Sequence, residues 1–207
     1  MSTALELPTV EDYFAADLAD ERKLEFVDGE IVAMAGGDPV HSHLAVTLTQ
    51  VLKNKLSGAP CLTFQSDLRV RVGAEGEGDD YVYPDATIAC PPRRFLDTRP
   101  RTLGNPTIVF EVLSPSTLDY DLGAKGTRYR RTPSLREFVM IDSEARRVTH
   151  AVRSDATTWV FRDYEGDATF TLPTVGVELS LSELYEGFEA LRDELRAASA
   201  TNPAPGA

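Results

Sequence analysis

The sequence predicts an α/β fold: a mixed central sheet with helices on both faces, an N-terminal hairpin and a C-terminal antiparallel meander. Three observations predict it. Residues 107–113 are a nearly unbroken apolar run, the pattern of a strand buried on both faces. A helix-compatible segment leads from that run to a second strand-like run at 136–142, as in a crossover between parallel neighbours. Period-two alternation then dominates from Arg146 to Leu172.

The elements follow in order. Thr9 with Asp12 resembles a capping box and opens a short helix over 9–18. Residues 23–27 and 30–34 flank Asp28-Gly29, a tight hairpin turn. Gly36-Gly37 breaks the chain. Leu44, Leu48, Val51, Leu52 and Leu56 then recur at helical spacing through 39–56, and Gly58 ends that helix. Residues 61–72 alternate as a strand, 73–80 form a flexible acidic loop, and 81–90 are the next strand. Residues 91–105, rich in proline, glycine and arginine, read as an exposed excursion. Ser116 with Asp119 is a second capping-box candidate, for a helix over 117–131. Segments 146–153, 157–164 and 168–172 make the meander, and 180–197 carries one or two helices. Residues 1–197 read as a single domain, and 198–207 as a disordered low-complexity tail.

At 207 residues, 42% hydrophobic and 26% charged, the chain is long enough to bury a real core. No apolar run approaches a membrane span and the N-terminus carries no basic-then-apolar signal. The expected compartment is therefore the cytoplasm, with no membrane partner. Cys61 and Cys90 are too few for a disulfide framework, lack metal-ligand spacing and read as small buried thiols. The net charge of −12 argues against a broad basic surface for nucleic acid. It leaves room for a site where a metal ion supplies the positive charge. The chain has no phosphate loop, dinucleotide fingerprint, nucleophile elbow or zinc-helix motif.

Two acids stand out. Asp85 follows Pro84 at the start of one strand-like run. Glu111 lies inside another, on one face with Val109 and Leu113. A buried acid is costly unless paired, and two brought together repel unless a cation lies between them. The pair reads as a divalent-metal site, with a buried arginine partner for Glu111 as an even alternative; Pro-Asp by itself is also an ordinary turn dipeptide. Lys125 is one of four lysines against seventeen arginines. It follows Asp121 by four and precedes Tyr129 by four, so the three share a helix face. As an exposed pair, Asp121 and Lys125 contribute about 0.2–0.5 kcal/mol, and taken alone that is the simpler account. Beside a metal the ammonium would stabilise an attacking hydroxide and the charge developing on a phosphate. His41 and His43, two apart, point to different faces, so one at most reaches a site. His150 reads as structural, and Glu25 as a solvent-facing glutamate with a cleft-facing alternative.

Taken together these residues resemble the Uma-type restriction-endonuclease family, a bacterial group within the PD-(D/E)XK nuclease superfamily. The resemblance runs from Val10 to Ile141 and more loosely to Leu191. It rests on Glu25 with Asp28-Gly29-Glu30-Ile31, on His41, and on Tyr83-Pro84-Asp85-Ala86. Above all it rests on Glu111-Val112-Leu113-Ser114-Pro115-Ser116-Thr117, followed by Tyr120-Asp121, Lys125, Tyr129 and Ser134-Leu135-Arg136-Glu137-Phe138. It implies a restriction-endonuclease-like fold and a metal-dependent endonuclease acting on nucleic acid, DNA first. Asp85, Glu111 and the Val112 carbonyl would hold one or two Mg²⁺ ions, with Mn²⁺ able to substitute. Lys125 would orient or stabilise the nucleophile. Glu25, His41, Asp121 and Tyr129 are further candidates. Orthodox superfamily members carry the lysine two residues after the second acid. That position is Leu113 here, so the amine would come from the following helix. Val139 stands where the family commonly has tryptophan, a packing position. Magnesium is favoured over zinc because the implied ligands are hard oxygens. The competing reading is a catalytically silent binding module that keeps the fold. A cleft lined by Arg93, Arg94, Arg128, Arg130 and Arg131 would favour the nuclease. A homodimer is the assembly left open.

Overall fold

Local signals set the first elements. Thr9 and Asp12 exchange both capping-box hydrogen bonds at the start of α1 (Val10–Ala19). Asp28 (φ 55°) and Gly29 (φ 79°) both take positive φ between β1 (Leu24–Val27) and β2 (Glu30–Ala33). That matches the right-handed twist of a two-residue hairpin. Asp38 caps α2 (Pro39–Lys55) by accepting the His41 N–H at 2.8 Å, with Pro39 in the first turn. The computed structural model describes residues 7–201 except 21, 35, 75–78, 97–100 and 116–119. The capping box at Ser116 and Asp119 therefore lies outside the described residues, as does half of the acidic loop.

The rest of the chain runs β3 (Leu62–Gln65), β4 (Arg69–Val72), β5 (Asp80–Val82), β6 (Ala86–Ala89), β7 (Thr102–Leu103) and β8 (Ile108–Leu113). A π-helical turn (Asp121–Lys125) follows and continues into α3 (Gly126–Arg131). Then come β9 (Glu137–Asp142), β10 (Arg147–Arg153), β11 (Trp159–Glu165), β12 (Thr169–Leu172), β13 (Val177–Ser180), α4 (Leu181–Leu184) and α5 (Phe188–Thr201). The α/β class is borne out. So are mixed sheets flanked by helices, and the strands divide into a five-stranded sheet ordered β2-β1-β5-β4-β7, a six-stranded sheet ordered β11-β10-β9-β8-β6-β3, and the hairpin β12-β13.

Two segments read as single strands each cross between the sheets. Residues 61–72 break after Gln65, so β3 joins the six-stranded sheet and β4 the five-stranded one. Residues 81–90 break at Tyr83-Pro84-Asp85, where Pro84 has no N–H for a ladder. The predicted crossover is present: β8 and β9 pair in parallel, Glu111 opposite Met140, joined through the π turn and α3. The meander is shorter than expected, because β12 leaves β11 and pairs with β13. Residues 102–103 are not an exposed excursion; both are buried and pair with β4. α5 reaches Thr201, four residues into the segment read as a tail.

Cys61 and Cys90 are a disulfide, which corrects the reading as free buried thiols. Leu62 pairs with Ala89 across β3 and β6, so the two cysteines meet as the next cross-strand pair, Cα atoms 4.1 Å apart. Spacing along the chain carries no trace of that pairing. Among the described residues, no helix is long and apolar enough to cross a membrane.

The six-stranded sheet is covered on both faces. On one, Leu44, Leu48 and Leu52 of α2 pack against Ile88, Ile108 and Phe110, with β12, β13 and α4 closing the side. On the other, Val109, Phe138 and Met140 meet Val70, Val72 and Val82 of the five-stranded sheet and Tyr129 of α3. The strand period places Glu111 on this second face, between the sheets. Leu48 is 1% exposed at the centre of the first core. Leu48→Ala should lower the unfolding free energy by about 2–5 kcal/mol in a urea titration, with unchanged slope. A loss well under about 1 kcal/mol would mean that α2 does not clamp this sheet.

Candidate active site

Four separate elements bring charged side chains to the place where the two sheets diverge. β1 contributes Glu25 and β8 contributes Glu111, 2% and 3% exposed. Asp85 sits at the crossing just before β6. Asp121 and Lys125 come from the π turn and are buried as well. The strand period explains Glu25: Leu24 and Phe26 face the aromatic cluster of Tyr13 and Tyr81, so Glu25 must face the other way. It accepts the Tyr83 backbone N–H at 2.7 Å. The solvent-facing reading of Glu25 is therefore overturned.

Lys125 stands at the centre. Its Nζ lies 2.9 Å from Glu111 Oε1, 3.0 Å from Glu25 Oε1 and 3.6 Å from Asp121 Oδ1. The exposed-pair account of Lys125 fails, because the residue is 3% exposed. Among the described residues no arginine partners Glu111, the alternative that the sequence left even. The π turn sets this arrangement, and Gly126 permits it: a Cβ there would lie 2.7 Å from the Asp121 carbonyl oxygen. A helix interrupted in this way was not foreseen. Its visible signal was a glycine directly after Lys125.

The electrostatics follow from burial. Burial alone would push the Lys125 ammonium down, but Glu111, Glu25 and Asp121 outweigh it and hold the group well above its ordinary value. Burial drives Glu111 well up, opposed by Lys125 and assisted by Asp121, Asp85 and Glu25. Tyr129 is raised by burial and then by the Glu111 charge, so its neutral hydroxyl donates to Glu111 Oε1. Asp85 Oδ2 accepts the Val112 N–H at 2.7 Å and lies 3.2 Å from His41 Nε2. That hydrogen bond holds His41 above its ordinary value, against the effect of burial. His43 turns away to the Glu186 carbonyl, and His150 pairs with buried Glu137 at 2.7 Å, the structural role expected for it.

Glu25, His41, Asp85, Glu111, Asp121 and Lys125 line a cleft of about 300 Å³; Tyr129, His43 and His150 do not. Among the described residues, five carboxylates face it (Glu25, Asp38, Asp85, Glu111 and Asp121) against the ammonium of Lys125. Asp38, Ser114 and Tyr120, which also line it, were not anticipated; they come from loops and from the first helical turn, where periodicity says nothing about direction. None of Arg93, Arg94, Arg128, Arg130 and Arg131 lines it. Arg128 is held instead by Asp28 and Asp80, and Arg93 by the Pro60 carbonyl.

Residues 10–182 match the Uma2 family, described as "Putative restriction endonuclease". The chain belongs to this family. The resemblance read from Tyr83-Pro84-Asp85 and Glu111-Val112-Leu113 is thereby borne out. Two relatives come from Synechocystis sp. (strain ATCC 27184 / PCC 6803 / Kazusa). "Uncharacterized protein slr1290" is 30% identical over 177 residues, 86% of this chain and 90% of the relative. "Uncharacterized protein sll1609" is 29% identical over 159 residues, 77% and 88% of the two chains. A crystal structure of "a putative nuclease belonging to DUF820" from Anabaena variabilis ATCC 29413 superposes with a TM-score of 0.65 at 16% identity. It covers 82% of this chain and 93% of that one, a likeness of fold.

Within the family fold, the buried Glu111 makes a prediction about pH. With divalent ions chelated, folded Glu111 retains a proton at pH values where the unfolded chain has lost it. The window opens near the ordinary glutamate value of 4.5 and extends upward. There the folded state binds more protons, so stability falls as pH rises. Glutamine at this position cannot ionise. The stability of wild type minus that of Glu111→Gln should therefore decline above that value, by at most about 1.4 kcal/mol per pH unit. Parallel curves for the two proteins would contradict it.

Proposed function

We propose that this protein is a metal-dependent endonuclease that hydrolyses phosphodiester bonds in DNA. The observation that carries the proposal is the meeting of Asp85 and Glu111 in one cleft with Lys125 Nζ 2.9 Å from Glu111. An acid pair with a buried amine beside it is suited to charge that develops on a phosphate.

The donor set suits a hard divalent cation. Asp85 commits Oδ2 to Val112 and His41, and Glu111 commits Oε1 to Lys125 and Tyr129. Each keeps a second oxygen. Among the described residues, no three His, Cys, Asp or Glu side chains form a metal cage. Mg²⁺ does not need one, since it keeps several waters and takes one or two carboxylates. The excess of carboxylates over ammonium in the cleft calls for added positive charge. Asp85, Glu111 and the Val112 carbonyl would hold Mg²⁺, or Mn²⁺ in its place. Such an ion lowers the pKa of a water and neutralises the scissile phosphate.

The protein's own groups do the rest. The Val112 N–H and His41 fix the rotamer of Asp85. Tyr129 and Lys125 together hold Glu111 with one oxygen available. Glu25 and Asp121 keep Lys125 charged and aimed, so that its ammonium meets the attacking oxygen and the phosphate oxygens without reorganising. The amine arrives from the helix rather than from position 113, where Leu113 packs against the core between the sheets.

A second reading, a silent binding module, is favoured by the lack of arginine among the described residues of the cleft and by the charge of −12. One assay separates them: plasmid and single-stranded DNA incubated with Mg²⁺ or Mn²⁺, wild type beside Asp85→Asn and Lys125→Met. Asparagine can still accept the Val112 N–H, so Asp85→Asn should fold and lose cleavage. Lys125→Met leaves buried acids unpaired and should cost about 3–5 kcal/mol of stability. In folded Lys125→Met that still binds Mn²⁺, the rate should drop about 10²–10³-fold, or roughly 3–4 kcal/mol in the barrier. No cleavage by the wild type under any of these conditions would favour the silent module. Near-normal cleavage by Lys125→Met would remove Lys125 from the chemistry.

A further inference from the structure

A second hollow of about 630 Å³ opens beside the cleft and shares Gly37, His41 and Asp85 with it. One wall is α2. His41, Ala45, Thr49 and Lys53 form one row along the helix, and Ser42, Val46, Gln50 and Asn54 the adjacent row. Both rows repeat every four residues, the spacing of one helix face. The opposite wall is Gln65 and Ser66, at the end of β3. From residue 41 to residue 53 the helix rises about 18 Å, the rise of about five nucleotide steps of one duplex strand.

The chemistry of this groove differs from that of the rest of the protein. The chain carries 33 acidic residues, yet the groove has none except Asp85 at its junction with the cleft. Lys53 is exposed on its wall. Of the four lysines, Lys23 pairs with Asp67, Lys55 with Glu183 and Lys125 with the buried acids. Lys53 alone makes no ion pair among the described residues. Gln50 and Asn54 beside it are exposed amides with both donor and acceptor atoms. A polyanion approaching a molecule of this charge is repelled almost everywhere. Here it would meet an ammonium, amides and apolar surface leading directly to Asp85.

We propose that this groove holds the strand of nucleic acid flanking the scissile phosphate. Lys53 contacts a backbone phosphate, and Gln50 and Asn54 meet base edges. The inference rests on the nuclease reading and adds to it the path of the substrate. Lys53 is a binding residue remote from the reacting atoms.

The test is fluorescence anisotropy with labelled DNA of about twenty nucleotides, in single-stranded and duplex arms, at low salt with Ca²⁺ to support binding. Wild type is compared with Lys53→Glu, and with Arg196→Glu on exposed α5, which changes net charge equally but lies outside the groove. Lys53→Glu should weaken binding by about tenfold or more in at least one arm and lower the log–log salt slope by about one. Its thermal stability should match wild type, and Arg196→Glu should bind as wild type does. Wild-type binding with an unaffected Lys53→Glu, or with an equal loss in Arg196→Glu, would overturn the groove and leave the nuclease reading standing. Failure of the wild type to bind either form of DNA would overturn both.

Discussion

The buried ammonium of Lys125 is the constraint on which the site depends. Glu25, Glu111 and Asp121 approach one another from two sheets and a helical turn, and the ammonium between them offsets their mutual repulsion. Removing one partner of such a buried cluster costs about 3–5 kcal/mol, several times the value of an exposed helix pair. Lys125 therefore ties β1, β8 and α3 together as well as facing the cleft. The same contacts fix Glu111, and the Val112 N–H fixes Asp85, so both acids are held in place before any ligand arrives.

The backbone explains why the groups can meet. β8 is buried on both faces, and its odd-numbered residues face the space between the sheets. Earlier, between β5 and β6, the chain changes sheet at Pro84, and this leaves Asp85 outside either ladder. Gly126 lets the π turn form where Lys125 must enter. Each device departs from regular structure at one point. Each of those points lies beside the cleft.

Much of this was legible in the sequence, for identifiable reasons. The capping box at Thr9, the Asp-Gly hairpin and the helical stripe of α2 are local signals, and they form as read. Glu111 was conspicuous because an acid inside an apolar strand is rare without a partner. What remained hidden was non-local. Alternation along 61–72 and 81–90 does not say where a strand passes to another sheet. It could not foretell the Cys61–Cys90 disulfide, which depends on the register of β3 against β6. Taken alone, Glu25 and Lys125 read as surface residues, and only the family resemblance put them at the site; their burial comes from elements far away in the chain. Whether the five arginines would line the cleft was not legible for the same reason, since the ion pairs of Arg128 are made across the fold.

The acidic surface and the site are compatible if positive charge is supplied locally, by Lys125 inside the cleft, by Lys53 in the groove and by a bound cation between the acids. The last of these is the central claim. The most direct test is anomalous diffraction from crystals soaked in Mn²⁺. The account predicts a peak in the cleft within about 2.0–2.6 Å of a carboxylate oxygen of both Asp85 and Glu111. A fully soaked crystal with no peak there, or with Mn²⁺ bound only elsewhere, would contradict it.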